Sequence, residues 1–326
     1  MTKLVMKSIG MLISIVAIFS IEAAGRLAFR IFSSAPSRKP ASEKEAEVIR
    51  QAAPRLAKSH QLRFVIEDAA VAAFDFPPVG NNAPIGKVLV VHGYKSRTEH
   101  MLSIVDTLTN AGYRVVAIDM PGHGHSTGKQ SHLLNAVQGI DAAWREFEGF
   151  DAFVGHSFGG AAVIAAAAGS MPDVPAHVPY KLVTIAAPTK LKVIFSWFAK
   201  ATGISPRIKT AFYGEIFKLT GKPLSAFDTS ADLPNIKTSM LVLHAPDDKE
   251  VPFVCAETLA ACGPHVQMKP LPGLGHRRIL AAPAMLEELL SFMSSTDAGI
   301  VEGAVAISPS IEQLAATALP QARRIA

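Results

Sequence analysis

Short apolar runs alternate with helical stretches along most of this 326-residue chain. Runs at 62–67 and 70–76 favour an opening antiparallel pair of strands. The later runs are typical of strands buried on both faces; they lie at 88–91, 114–118, 152–154, 182–185, 240–243 and 266–271. The alternation predicts an α/β fold in which helices cover both faces of a mostly parallel central sheet.

The N-terminal 35 residues have a different pattern. Lys3 and Lys7 precede an apolar run from Ile9 to Ile21, and the small residues 23–25 follow it. This fits a signal peptide cleaved before Arg26, an uncleaved anchor over 8–25, or a surface helix. Because more lysine and arginine follow the run than precede it, we expect a membrane-associated chain with the domain that follows the run on the cytoplasmic side. Export after cleavage and a soluble cytoplasmic chain are the alternatives.

The remaining chain divides by composition. Residues 36–60 are polar and predict a linker with room for a short helix, 61–295 hold the strand and helix pattern of one domain, and 296–326 form a tail without a motif. We expect the N-terminal segment and the catalytic domain to be separable. The net charge of +5 is mild and indicates solubility or affinity for anionic membranes more than nucleic-acid binding.

One glycine-rich turn carries the strongest chemical signal. The sequence Gly155-His156-Ser157-Phe158-Gly159 follows an apolar strand pattern and precedes an alanine-rich helix pattern. Glycines two residues on either side of a serine allow the tight strand-to-helix bend that exposes a nucleophilic hydroxyl. Ser157 is therefore the predicted nucleophile, and His156 is expected to pack within the turn.

A serine nucleophile needs a histidine to take its proton and an acid to orient that histidine. The strand at 240–243 runs into Asp247 and Asp248, and His276 lies in a glycine-rich loop after the last strand. The order serine, acid, histidine is that of hydrolases built around this turn. Either aspartate can serve on spacing alone.

Together with two further motifs, these residues resemble the serine hydrolases of the α/β-hydrolase superfamily. His92-Gly93-Tyr94 is similar to the family's oxyanion loop, and residues 119–126 (DMPGHGHS) are similar to its D-x-x-G-H-G-x-S loop. The resemblance covers about 62–293, and the branch of monoacylglycerol lipases and lysophospholipases is the most similar.

The resemblance has implications for individual residues. The family's acid-loop motif maps onto 244–252 and implies Asp248 as the acid, with Ala245 replacing the family's glycine. It implies that the backbone amides of Tyr94 and Phe158 form an oxyanion hole. It also implies that residues 188–234 form a helical cap, whose aromatic residues either line an apolar underside or are ordinary helix core.

We therefore expect a serine hydrolase acting on carboxylic esters, with apolar acyl esters as the favoured small-molecule substrates. An acyltransferase or a serine peptidase with the same three residues is the alternative. No cofactor and no metal are expected, since the pair His123 and His125 has no cysteine or carboxylate partner in the sequence pattern.

Overall fold

The computed structural model describes residues 3–80 and 82–295, and its centre is an eight-stranded sheet with the order β1-β2-β4-β3-β5-β6-β7-β8. The strands are β1 His60–Ile66, β2 Ala69–Phe76, β3 Lys87–Val91, β4 Arg114–Ile118, β5 Ala152–His156, β6 Lys181–Ile185, β7 Ser239–His244 and β8 Val266–Pro270. β2 is antiparallel to β1 and β4, and the six strands from β3 to β8 are parallel. The predicted sheet, including its opening antiparallel pair, is confirmed.

Helices lie before, between and after the strands. The α-helices of the described residues are α1 Lys3–Phe19, α2 Ile21–Phe32, α3 Glu43–Ala57, α4 Leu102–Asn110, α5 Leu133–Glu146, α6 Phe158–Ala168, α7 Leu191–Thr202, α8 Pro206–Thr220, α9 Thr229–Asp232, α10 Val254–Ala260, α11 Gly275–Arg278 and α12 Pro283–Ser294. The part of the chain predicted to be a tail, 296–326, lies outside the described residues.

The sheet separates two hydrophobic cores. Leu89 and Val91 of β3 face the core shared with α5 and α6, whereas Val88 and Val90 face the core shared with α4 and α12. Successive side chains of a strand point to opposite faces, so an uninterrupted apolar run is needed when both faces are covered. The parallel arrangement brings the carboxyl ends of β5, β7 and β8 to one edge of the sheet, where the loops that follow them meet.

The N-terminal segment forms two helices rather than one. α1 ends at Phe19, and Ser20 has an extended backbone (φ −158°, ψ 124°) while its hydroxyl accepts a hydrogen bond from the amide of Ala23 and caps α2. Within the residues that the structure describes, no helix is long and apolar enough to cross a membrane. A helix cap at Ser20 divides the apolar run, so residues 8–25 belong to two helices instead of one continuous helix.

Both helices pack closely on the segment between β6 and β7. A Cβ atom at Gly10 would lie 1.9 Å from the carbonyl oxygen of Thr202, and one at Gly25 would lie 2.6 Å from Cβ of Ala211. Small residues at such points allow helix backbones to approach one another. α2 is thus built into the catalytic domain, and the expectation that this segment is separable does not agree with its packing.

The inserted segment at 188–234 is helical, as predicted, and contains α7, α8 and α9. Its aromatic residues Phe195, Phe198 and Phe212 are buried and pack around Phe32 of α2, with ring centroids 4.4, 5.3 and 5.5 Å away. These three rings form helix core rather than the underside of a cap.

The region predicted to be a polar linker also contains a full helix. Ser42 caps α3 by accepting a hydrogen bond from the amide of Glu45, and Ala52 and Leu56 are buried in the core beside α4 and α12. The polar composition of this stretch reflects the exposed side of an amphipathic helix.

Candidate active site

Ser157 occupies the turn between β5 and α6. Its backbone has φ 52° and ψ −120°, a conformation that residues other than glycine rarely adopt. The turn is held by the amide of Ser157, which donates to the carbonyl of Ile185 at 2.8 Å. The tight bend expected from the sequence is therefore present at the predicted nucleophile.

The two predicted elbow glycines are required by close backbone contacts. A Cβ atom at Gly155 would lie 2.6 Å from the carbonyl oxygen of Gly159, and one at Gly159 would lie 2.4 Å from the carbonyl oxygen of His92. Cβ atoms are essentially never found at such distances from backbone oxygens, so each position needs glycine.

Ser157, His276 and Asp248 come together in one hydrogen-bonded chain. Nε2 of His276 lies 3.0 Å from Oγ of Ser157, and Nδ1 of His276 lies 2.7 Å from Oδ2 of Asp248. An ionised carboxylate can only accept a hydrogen bond, so Nδ1 carries the proton and Nε2 is left as an acceptor for the serine hydroxyl. The imidazole is therefore in the tautomer that a general base requires.

The environment of Asp248 keeps its carboxylate ionised. The side chain is fully buried, which acts to raise its pKa. Hydrogen bonds from His244 and His276 and from the amides of Val251 and Glu250 outweigh this effect and hold the pKa of Asp248 well below its usual range.

Two residues support this chain in ways that the sequence analysis missed. Nε2 of His244 lies 3.4 Å from Oδ2 of Asp248 and donates to the carbonyl of Val251 at 3.0 Å. Asp247 is exposed and accepts the amide of Gly273 at 2.7 Å, which ties the acid loop to the loop before His276. Of the two aspartates that spacing allowed, Asp248 is the one at the imidazole.

His156 packs behind the turn, as expected. Its Nε2 donates to the backbone carbonyl of His276 at 3.0 Å, and the two rings lie 4.8 Å apart. Burial, with a smaller contribution from His276, lowers the pKa of His156 to about 3. A neutral ring bonded in this way orients the backbone of His276. The hydrogen bond to Ser157 is made by His276.

The predicted oxyanion loop passes beside the serine. A Cβ atom at Gly93 would lie 3.0 Å from Cβ of Ser157, so the adjacent Tyr94 amide is close to the turn. Phe158 is the first residue of α6, where amides have no acceptor within the helix. The role of these two amides in an oxyanion hole stays a prediction.

Two buried histidines hold the predicted oxyanion loop in place through hydrogen bonds from backbone amides. Nε2 of His92 accepts the amide of Met120 at 2.9 Å, and Nε2 of His123 accepts the amide of Lys95 at 3.1 Å. Burial lowers the pKa of His123 to about 3, so the ring stays neutral and able to accept. The D-x-x-G-H-G-x-S loop thus has a structural part in this site.

One group of side chains in the described residues has the composition of a cation site. Donor atoms of Glu99, Asp119 and His125 lie within 4.8 Å of one another. Protein donors already engage them: Arg97 lies 2.8 Å from Glu99, and the oxygens of Asp119 accept the amides of Thr98 and His125. These hydrogen bonds account for the cluster without a metal ion, and the expectation that no metal is needed stays a prediction.

A small cavity begins beside the turn. It extends between α6 and the inserted helices, and its lining is mainly apolar: Phe158, Ala161, Ala165, Leu191, Ile194 and Phe227. Positions 158, 161 and 165 lie on one side of α6, so the cavity follows that helix away from Ser157. The site can therefore receive an apolar group next to the serine.

Comparison with known proteins agrees with this architecture. A model of the alpha/beta hydrolase family matches residues 88–289. A monoacylglycerol lipase of Mycolicibacterium smegmatis is 25% identical over 229 residues, which cover 59% of this chain and 81% of that protein.

Two further similarities are narrower in what they imply. The acetyltransferase component of an acetoin cleaving system from Cupriavidus necator is 35% identical over 107 residues, which span 29% of this chain and only 28% of that protein. A solved membrane phospholipase A is similar with a TM-score of 0.56 at 15% identity, and the match covers 87% of this chain and 97% of that chain. The latter likeness supports the fold alone.

Proposed function

This chain belongs to the alpha/beta hydrolase family, and we propose that it is a serine hydrolase cleaving carboxylic esters of apolar acyl groups. The proposal rests above all on the hydrogen-bonded chain from Ser157 through His276 to Asp248. A hydroxyl, an imidazole in the accepting tautomer and a buried ionised carboxylate are the parts that acyl transfer needs.

Acylation begins at Ser157. Its Oγ forms a bond to the ester carbonyl carbon while its proton passes to Nε2 of His276, and the carbonyl oxygen becomes an oxyanion. The carboxylate of Asp248 stabilises the imidazolium that results. His276 then gives the proton to the departing alkoxide, the carbon–oxygen bond to the alcohol breaks, and an acyl-enzyme is left.

Deacylation uses the same residues with water as the nucleophile. His276 takes a proton from water, the hydroxide oxygen bonds to the acyl carbon, and the proton returns to Oγ of Ser157 as the acid leaves. The amides of Tyr94 and Phe158 stabilise the oxyanion in both halves, a contribution worth about 10²- to 10³-fold in rate per donor in acyl-transfer enzymes.

The lining of the cavity beside Phe158 favours binding of an apolar acyl group over a polar one. Its lining is mainly alkyl and aromatic, so an acyl chain gains transfer free energy of about 25 cal/mol for each Å² of apolar surface removed from water. The printed name of the mycobacterial relative, monoacylglycerol lipase, is in keeping with such a substrate.

An acyltransferase or a serine peptidase remains the alternative, because the acyl-enzyme can pass its acyl group to another acceptor or arise from an amide. The acetyltransferase in the name of the second relative is of the first kind, although the similarity covers a small part of that protein. Product analysis separates these outcomes: a hydrolase releases free acid at the rate of alcohol release.

The decisive experiment replaces the nucleophile. Ser157→Ala should abolish both labelling by a fluorophosphonate probe and turnover of p-nitrophenyl esters, since no covalent intermediate can form. Ser131→Ala is the matched control, because this buried hydroxyl has no hydrogen-bond partner among the described residues. Assays with esters of graded chain length beside an amide then define the substrate. Labelling that persists in folded Ser157→Ala would disprove the assignment.

A further inference from the structure

The outward face of α1 is mainly apolar. Five side chains on this side are strongly exposed: Leu4 (76%), Met11 (67%), Ile15 (50%), Ile18 (78%) and Phe19 (87%). With 3.6 residues per turn they lie opposite Met6, Gly10 and Ile13, which are buried. No charged residue occurs between Lys7 and Phe19, so this face differs from an ordinary solvated surface.

The inner face of α1 keeps that apolar side turned outward. Met6 and Ile13 pack into the core shared with α7 and α8, and Gly10 allows α1 to approach within contact of the Thr202 carbonyl. A helix of 17 residues extends about 25 Å. The exposed stripe is therefore a fixed feature of the molecular surface rather than the side of a loose terminal helix.

The helix α7, which packs against α1, also exposes apolar side chains. Val193 is 60% exposed and Trp197 is 62% exposed, one turn apart on the side of α7 opposite the buried Phe195 and Phe198. We call these two residues, together with Leu4, Met11, Ile15, Ile18 and Phe19, the docking face. A tryptophan at the border of an apolar surface is typical of the level of lipid headgroups.

The charge of the surrounding helices indicates which kind of partner would bind to the docking face. The helices α1, α2, α7 and α8 carry nine lysine and arginine residues and two glutamates. They are thus more positive than the whole chain, which has a net charge of +5. A second copy docked through this face would bring identical basic helices together, whereas anionic phospholipid headgroups would neutralise them.

We propose that the docking face binds the surface of a bilayer that contains anionic phospholipids. α1 then lies in the plane of the interface, with its outward side chains among the acyl chains near the headgroups and the lysines of α1 and α7 at the phosphates. This binding goes beyond the proposed hydrolysis and requires none of its residues. It also needs no helix that crosses the membrane.

Flotation of the full-length Ser157→Ala protein with vesicles tests the proposal, since an inactive protein cannot alter the lipid. Vesicles of phosphatidylcholine alone are compared with vesicles that contain about 30% phosphatidylglycerol. Combined Met11→Asn, Ile15→Asn and Ile18→Asn should weaken binding to the anionic vesicles about ten-fold or more. The matched control combines Val65→Asn, Val79→Asn and Ile85→Asn, which are exposed elsewhere by 84%, 62% and 67%, and should bind like the parent.

Trp197 provides a direct reporter of depth. On binding, its fluorescence should be quenched by lipids brominated high on the acyl chain, and Trp197→Phe should remove that quenching while Trp144 continues to fluoresce. The triple variant should keep the thermal midpoint of the parent. When it is made in the active enzyme that retains Ser157, it should also keep its activity on a short-chain ester, which separates docking from catalysis.

Three results would each overturn the proposal. The first is absence of binding to anionic vesicles by the parent protein, and the second is undiminished binding by the triple variant. The third is a concentration-dependent dimer that the triple variant abolishes, with no vesicle binding, which would identify a second copy as the occupant. Ile13→Asn, on the inner face, distinguishes an in-plane helix from a spanning one. Only the in-plane arrangement makes Ile13 part of the protein core, so this variant should then have a lower thermal midpoint.

Discussion

Asp248→Asn is the substitution whose effect follows most directly from the geometry. Oδ1 of Asp248 accepts the amides of Glu250 and Val251 at 2.7 and 2.9 Å, and Oδ2 accepts Nδ1 of His276 at 2.7 Å. Backbone amides can only donate, so the asparagine must keep its oxygen toward them. Its NH₂ group then faces His276 and donates to Nδ1.

The consequence is a change of tautomer. When Nδ1 accepts a hydrogen bond, the proton of the neutral imidazole resides on Nε2, which can no longer take the proton of Ser157. We expect kcat to fall about 10⁴-fold, equivalent to about 5 kcal/mol of activation free energy. The fold should be retained, since the backbone hydrogen bonds to residue 248 remain.

Asp247→Asn is the matched control. Within the part of the chain that the structure describes, Asp247 accepts the amide of Gly273 at 2.7 Å, and an asparagine oxygen can accept the same bond. Its effect on kcat should be less than about ten-fold. Both variants are assayed on a short-chain p-nitrophenyl ester and by the rate of fluorophosphonate labelling, with thermal melts to verify folding. An Asp248→Asn enzyme within ten-fold of the parent, or a larger loss in Asp247→Asn, would refute the tautomer argument.

Two further predictions concern stability. Burial lowers the pKa of His123 to about 3, below the value of about 6.5 in an unfolded chain; the unfolded state therefore binds the extra proton, and stability should decline as the pH falls from about 6.5 toward 3. Urea unfolding across this range should show a flatter pH dependence in His123→Asn, and an equal slope would contradict the burial effect. Phe29→Ala should lower the free energy of unfolding by about 3 kcal/mol, because this residue is only 8% exposed and packs against the inserted helices. Phe19→Ala, at 87% exposure, should change it by less than about 0.5 kcal/mol in the same urea titration.

The same packing changes the expected effect of truncation. Removing the chain through Pro40 would expose the buried sides of Phe195 and Phe212, which α2 covers with Phe29 and Phe32. The sequence could not reveal this, since an apolar helix beside a polar stretch has the same local pattern whether it packs on its own domain or leaves it.

The candidate site divides in a similar way. Ser157 with its two glycines and the order serine, acid, histidine were readable because a strained turn and a proton relay demand particular residue types at particular places. The choice of Asp248 over Asp247 came from a resemblance, and only the approach of Nδ1 of His276 to Oδ2 of Asp248 distinguishes them physically.

The sequence alone determined the strands, the mostly parallel character of the sheet and the strand-to-helix turn at Ser157, because apolar periodicity and glycine positions are local properties of the chain. Tertiary structure alone decided that His244 supports Asp248, that Ser20 divides the N-terminal run, and that α2 completes the core of the inserted helices. The last of these depends on contacts between residues far apart in sequence, and the first two depend on backbone geometry that the apolar pattern does not reveal. An apolar side chain is expected to be buried, but the shapes of its neighbours determine which of them it packs against.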